Sequence, residues 1–218
     1  MTEPAATEVP RPSRLDRRKA RTRQALVDAA VQLIAEGRGD RASIQEITDA
    51  ADIGFGSFYN HFESKEQLFQ TASQEVLERW GAMIDSACVG IEDPAEIFAV
   101  SVRITGRLGW THPELAHFLV GAGLEVLDQP VGLAPRALRD IKAGQAAGRF
   151  TTTLPAQVAL SAVAGGVLGL LKVHLDGPDD IDETSVDGLA RAVLRLLGIP
   201  DDEAARIVAL DLPPTQPW

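Results

Sequence analysis

In 218 residues the sequence has one cysteine, one tyrosine and two methionines, and aromatic side chains make up only 5% of it. The single thiol, Cys88, excludes an intramolecular disulfide framework and fits a reducing cytosol. In a helical stretch it reads either as a small hydrophobe or as a redox-sensing thiol. No run of about 18 consecutive apolar residues occurs, so no membrane span is expected. Met1–Pro12 carries prolines and glutamates where a signal peptide would carry an apolar core, and it reads as a disordered lead-in. The period-two alternation of strands is missing as well. The histidines fall at 61, 112, 117 and 174, and His112 and His117 are five apart, off the i, i+4 pair that shares a helix face. No metal site is expected from them. There is no GxGxxG, no P-loop and no GxSxG. The cluster Gly165-Gly166-Val167-Leu168-Gly169 lies in an apolar helical stretch with no strand before it. Neither catalysis nor a cofactor is expected.

Apolar residues at 45% and charged residues at 24% suit a globular chain of one or two domains. The net charge of −10 argues globally against a nucleic-acid partner. Its distribution reverses that reading. Between Arg11 and Arg23 stand seven bases (Arg11, Arg14, Arg17, Arg18, Lys19, Arg21, Arg23) against one acid, Asp16, whereas from Gln74 onward 20 acids face 11 bases. Such asymmetry suggests a basic binding arm on an acidic body, or else a solvated, charged helix start.

The periodic stretches have helical spacing, so the fold class is all-α. Leu26, Ala30, Leu33 and Ile34 make one face of a helix from about Leu15 to Glu36, which Gly37 and Gly39 suit as its end. Ser43-Ile44-Gln45-Glu46 reads as a capping box opening a short helix with Ile47, Ala50 and Ala51 inside. Asp52-Ile53-Gly54 interrupts it, and Phe55 to Phe62 resumes it. A second capping box, Ser64-Lys65-Glu66-Gln67, opens a long helix through Leu68, Ala72, Leu77 and Trp80. Later helices are expected over 93–109, 112–128, 135–148 and 155–174, then from Asp182 or Thr184 to Gly198, and over 200–210. The division follows as residues 1–13 a basic lead-in, 14–63 an N-terminal helical unit, 64–212 a larger helical domain and 213–218 an irregular tail.

Two short helices joined by a three-residue turn and preceded by a longer one make a helix-turn-helix. Its second helix packs one side on the first two, through Ile47, Ala51, Ile53, Phe58 and Phe62, and offers the other to a major groove about 12 Å wide. The run Ile47-Thr48-Asp49-Ala50-Ala51-Asp52-Ile53-Gly54-Phe55-Gly56-Ser57-Phe58-Tyr59-Asn60-His61-Phe62-Glu63-Ser64-Lys65-Glu66-Gln67-Leu68 resembles the DNA-binding signature of the TetR (tetracycline-repressor-like) family. The resemblance extends over about Arg17 to Phe69. It implies a homodimeric repressor that binds double-stranded operator DNA and is released by a small-molecule ligand. Carried onto these positions, it assigns phosphate contacts to Ser43, Ser57, Tyr59, His61 and Lys65, and base edges to Phe55, Gly56 and Asn60. Arg18 joins the DNA-binding set through the basic cluster. Two positions depart from the pattern: Gly54 stands where Ser or Thr commonly caps the recognition helix, and Phe55 where Lys or Arg is common. Phe55 could instead pack on a thymine methyl.

The remainder is less diagnostic. By the resemblance, the last two long helices form the dimer interface. Ser161, Gly165 and Gly169 recur every four residues and allow another helix to approach closely, with Leu189, Val193 and Leu196 on the partner helix; packing within one subunit is the alternative. A ligand pocket is expected between Trp80 and His174, with Trp80, Met83, Phe98, Trp110, Phe118 and Leu119 as candidate lining and Glu114, Glu125 and Asp128 available to a cationic ligand. A ligand-independent DNA-binding factor or an activator fits the same residues.

Overall fold

The computed structural model describes residues 13–39 and 41–215. Among them every regular element is helical. The order is α1 (Arg14–Ala35), α2 (Ile44–Ala50), a 3₁₀ recognition helix (Phe55–Asn60), α3 (Lys65–Ala87), α4 (Pro94–Gly106), α5 (Leu108–Thr111), α6 (Pro113–Ala122), a second 3₁₀ helix (Gly123–Asp128), α7 (Leu133–Ala146), α8 (Ala156–Asp176), α9 (Glu183–Leu196) and α10 (Asp201–Val208). Of the lead-in expected over residues 1–13, residues 1–12 lie outside the described residues, as do the last three residues of the tail, whereas Ser13 belongs to α1 as its cap.

Local chemistry sets most boundaries. Ser13 caps α1 and Ser43 caps α2, each in a reciprocal capping box, with Asp16 and Glu46 as the returning carboxylates. At α3 the box is only half formed. Ser64 accepts from the Gln67 backbone N–H, but the Gln67 side chain accepts from the N–H of Glu63, one residue before the cap. Asp182, not Thr184, caps α9, and Ser185 reciprocates. The single helix expected over 112–128 breaks at Gly123, whose φ of +56° ends α6 and starts a 3₁₀ turn. The recognition segment is likewise 3₁₀ and ends at Asn60.

Two cores result. Leu26, Val27, Ala30 and Leu33 of α1 meet Ala42, Ile47, Phe58 and Phe62, and Leu68 and Ala72 from the first turns of α3 join them. From Val76 onward the same helix turns its apolar side, through Leu77, Trp80 and Ile84, to a larger core built with Phe98, Leu108, Ile141, Leu171 and Leu194. The packing boundary therefore falls inside α3, about two turns past residue 64. A continuous helix that contributes to both cores is a strut between them. Farther out, α4 and α9 are tied by the buried Arg103, which donates to Asp187 at 2.8 Å and to the Leu210 carbonyl at 2.8 Å.

By length and composition α8 is apolar enough to cross a bilayer, although only a third of that stretch is buried here. Its inward residues Ala159, Leu160, Val163, Val167 and Leu171 fill the larger core. Its outward face carries Ser161, Gly165 and Gly169 between Val158 and Val173, which are 50% and 46% exposed.

Candidate DNA interface and ligand cavity

In the helix-turn-helix the turn rests on Asp52, a non-glycine residue with φ of +54°, a conformation that Asp tolerates better than most side chains. Gly54 then precedes the recognition helix with an ordinary φ of −63° and no side-chain cap. Phe58 and Phe62 are buried beneath the recognition helix, while Phe55 and Tyr59, one turn apart, stay 48% and 57% exposed. Their rings meet edge to face at 6.3 Å, and Tyr59 also meets Phe58 at 5.3 Å. Burial of Phe58 thus anchors an aromatic ridge that stands out from the protein. Gly54 and Gly56 beside it have open space where a Cβ would be, so a duplex backbone can come close. Asn60 is exposed, Ser57 and His61 are half-buried at the rim, and Lys65 begins α3. Sequence reasoning groups these residues, and the fold brings them to one surface. Ser43 differs. Its hydroxyl and backbone N–H both donate to Glu46 at 2.8 Å, and Arg38 holds that carboxylate at 2.7 Å. Both Ser43 donors are committed to the cap, so no donor is left for a phosphate.

The larger domain holds a half-open, largely apolar cavity of about 120 Å³ among α3, α4, α6, α7 and α8. Leu77, Ile84, Phe98, Val102, Leu119, Val163 and Val167 supply most of its wall. The charged groups in that wall are Asp85 of α3 and Arg136 and Asp140 of α7. Arg136 is the hub: its Nε donates to Asp85 at 2.6 Å, its two Nη atoms to Glu78 at 2.9 and 2.7 Å, and Nη1 to the Gly132 carbonyl at 2.9 Å. The guanidinium lies across Gly81, where a Cβ would sit 2.8 Å from Nη1. Hydrogen bonds from Arg136 hold the Glu78 carboxyl far below the usual range, at about 2. Cys88 also lines the cavity, and burial pushes its thiol up to about 11.

Residues 26–72 match the family model of bacterial regulatory proteins, tetR family, and residues 93–210 match the tetracyclin repressor-like C-terminal domain. The chain belongs to the TetR family. It is a DNA-binding transcriptional regulator. It is similar to the TetR-fold structure of RolR in complex with the ligand resorcinol, at 33% identity over 91% of this chain and 98% of that one, with a TM-score of 0.72. Over a stretch of 53 residues, 24% of this chain and 27% of the other, it is 47% identical to the transcriptional repressor DhaR of Mycobacterium sp.. A helix-turn-helix regulator of Mycobacterium tuberculosis is 28% identical over 172 residues, covering 79% of this chain and 70% of that one.

In this TetR-family chain the expected pocket lining divides. Phe98 and Leu119 face the cavity; Trp80, Met83, Trp110 and Phe118 do not. Trp80 is a core residue whose indole N–H reaches the Thr105 hydroxyl at 3.5 Å, and Trp110 packs edge-on against His174 at 4.3 Å. Trp80 serves the core, where a large aromatic buries the most area, whereas Trp110 stays 41% exposed. Glu114, Glu125 and Asp128 lie off the cavity wall. Sequence reasoning missed Asp85, Arg136 and Asp140. The available signal was the seven-residue spacing of Glu78 and Asp85 on α3, facing an Arg136/Asp140 pair four apart on α7. Val193 is buried in its own subunit's core and so falls off the expected dimer face, while Leu189 packs on α8 near Gly166 and Leu196 is half-buried.

Proposed function

We infer that this regulator is a homodimeric repressor, released from a pseudo-palindromic operator when a single-ring, hydroxyl-bearing aromatic compound enters the cavity. In this reading Tyr59, Ser57, His61 and Lys65 take phosphates, Phe55, Gly56 and Asn60 meet base edges, and Arg18 adds a backbone contact. The outward face of α8, with its small residues at 161, 165 and 169, is the dimer contact, and covering it also accounts for the exposure of Val158 and Val173. Two recognition helices then stand about one helical turn apart, roughly 34–36 Å, on the DNA.

The cavity carries the reading. An apolar space of roughly 150 Å³ accepts one benzene ring, and this one, at about 120 Å³, is of that order. Asp85, Arg136 and Asp140 give its α3–α7 wall donors and acceptors for ring hydroxyls. The resorcinol complex of RolR supports the same ligand class. Coupling follows from Arg136. A hydroxyl that bonds Arg136 or Asp85 competes with the ties between α7 and α3, and α3 also builds the DNA-binding core. The ligand thereby favours a different placement of the recognition helices through differential affinity for the two states.

Resorcinol, phenol and benzene serve as probes in a thermal-shift series, paired with fluorescence-anisotropy titration of a DNA site selected from random sequence. Resorcinol should raise Tm and weaken operator binding, phenol less so, and benzene least. Stabilisation by none of the three would remove this ligand class, while loss of site binding in Tyr59→Ala tests the DNA interface separately.

A further inference from the structure

The first turns of α1 are exposed on every side. Each residue from Ser13 to Arg21 is solvent-exposed, and burial begins only at Leu26. The Ser13–Asp16 capping box nevertheless closes the helix at its start. At 1.5 Å per residue the eight helical residues Arg14–Arg21 project about 12 Å beyond the packed part.

Their chemistry is one-sided. Arg14, Arg17, Arg18 and Arg21 follow i, i+3, i+4, i+7 and so form one continuous arginine stripe. At about 100° per residue this stripe points roughly opposite to Leu26, Ala30 and Leu33, which face the core. Among the described residues no carboxylate lies within ion-pair distance of any of the four. On the other side of the helix Arg23 places its guanidinium 4.8 Å over the ring of Phe62, two residues past the end of the recognition helix. The projecting turns therefore leave the body beside the DNA-reading element. The rest of the chain is acidic, with 20 acids against 11 bases from Gln74 onward, and repels a duplex.

We propose that the Arg14/Arg17/Arg18/Arg21 stripe is a second DNA contact, lying along phosphates that flank the half-site read by the recognition helix and reading no sequence. It rests on the DNA-binding reading above. Arginines on an exposed, capped helix match the spacing and sign of a phosphate backbone, and neutralising phosphates releases condensed counterions. The stripe supplies the sequence-independent attraction that the acidic body lacks.

The test is the variant Arg14→Gln/Arg17→Gln/Arg18→Gln/Arg21→Gln of the full chain, whose changes are all at exposed positions. Binding is titrated across a salt series on a selected operator with about ten flanking base pairs on each side, on the same operator without flanks, and on an unrelated duplex. With flanks, the variant should bind at least tenfold more weakly near 100 mM salt, and its salt slope should fall by about 0.9 for each phosphate no longer neutralised. On the trimmed operator the two proteins should bind nearly alike, and discrimination between operator and unrelated duplex should persist. Equal affinity and slope on the flanked DNA would overturn the proposal, as would an equal weakening with and without flanks. A changed oligomeric state in sedimentation would give the stripe to a subunit interface instead. Tyr59→Ala, which should abolish discrimination between sites, separates failure of the arm from failure of the helix-turn-helix reading.

Discussion

Replacing Arg136 by methionine keeps the length and apolar stem of the side chain, leaves the exposed Arg139 with its Nη2 donating to Asp85 at 3.3 Å, and removes the guanidinium that otherwise ties α7 to α3. Four hydrogen bonds go with it, to Asp85, twice to Glu78 and to the Gly132 carbonyl. Glu78 and Asp85 are 47% and 42% exposed, so solvent screens each pair and each contributes less than about 1 kcal/mol. The bidentate geometry at Glu78 places that pair toward the upper end, and the orphaned carbonyl adds about 1 kcal/mol. The total is about 2–3 kcal/mol, which for a chain of this length lowers Tm by about 4–12 °C. The pH dependence is a second check. Glu78 titrates at about 2 in the folded protein, below its ordinary 4.5. Its contribution is therefore complete above about pH 4.5 and is lost as pH falls toward 2. The Tm gap between wild type and Arg136→Met should be full at pH 7 and narrow as pH drops from about 5 to about 3. Circular-dichroism melts over that range provide the measurement. A Tm at pH 7 within about 1 °C of wild type, or a gap that does not change with pH, would refute the clamp.

Gly109→Ala should destabilise although alanine favours a helix, because the new Cβ would stand 2.0 Å from Cδ2 of the buried His174 ring; the expected cost of such overpacking is about 1–3 kcal/mol, and an unchanged or higher Tm would sink it. Cys88, with its thiol raised to about 11 by burial, should react with iodoacetamide far more slowly in the folded protein than in urea, and equal rates would show that the thiol is accessible. Burying the neutral thiol also stabilises the fold below about pH 9, and that contribution is lost as pH rises toward 11.

Much of this protein is legible in its sequence, because local rules govern the legible part. Ser13, Ser43, Ser64, Asp93 and Asp182 cap helices using donors and acceptors a few residues away, so element starts follow from short patterns. The helix-turn-helix is a compact unit whose buried residues, Ile47 and Phe58, and whose exposed ridge, Phe55 and Tyr59, lie within one short stretch. Tertiary structure alone decided the rest. Whether Trp80 or Asp85 faces the cavity depends on how α3 is turned against α7, and residues about 50 positions apart fix that rotation through Arg136. Helical spacing marks which residues share a face; it does not say whether that face meets core, cavity or solvent. For the same reason sequence leaves Val193 open between a dimer contact and packing within one subunit, whereas in the fold it is buried in its own subunit, and the boundary between the two cores runs through the middle of α3.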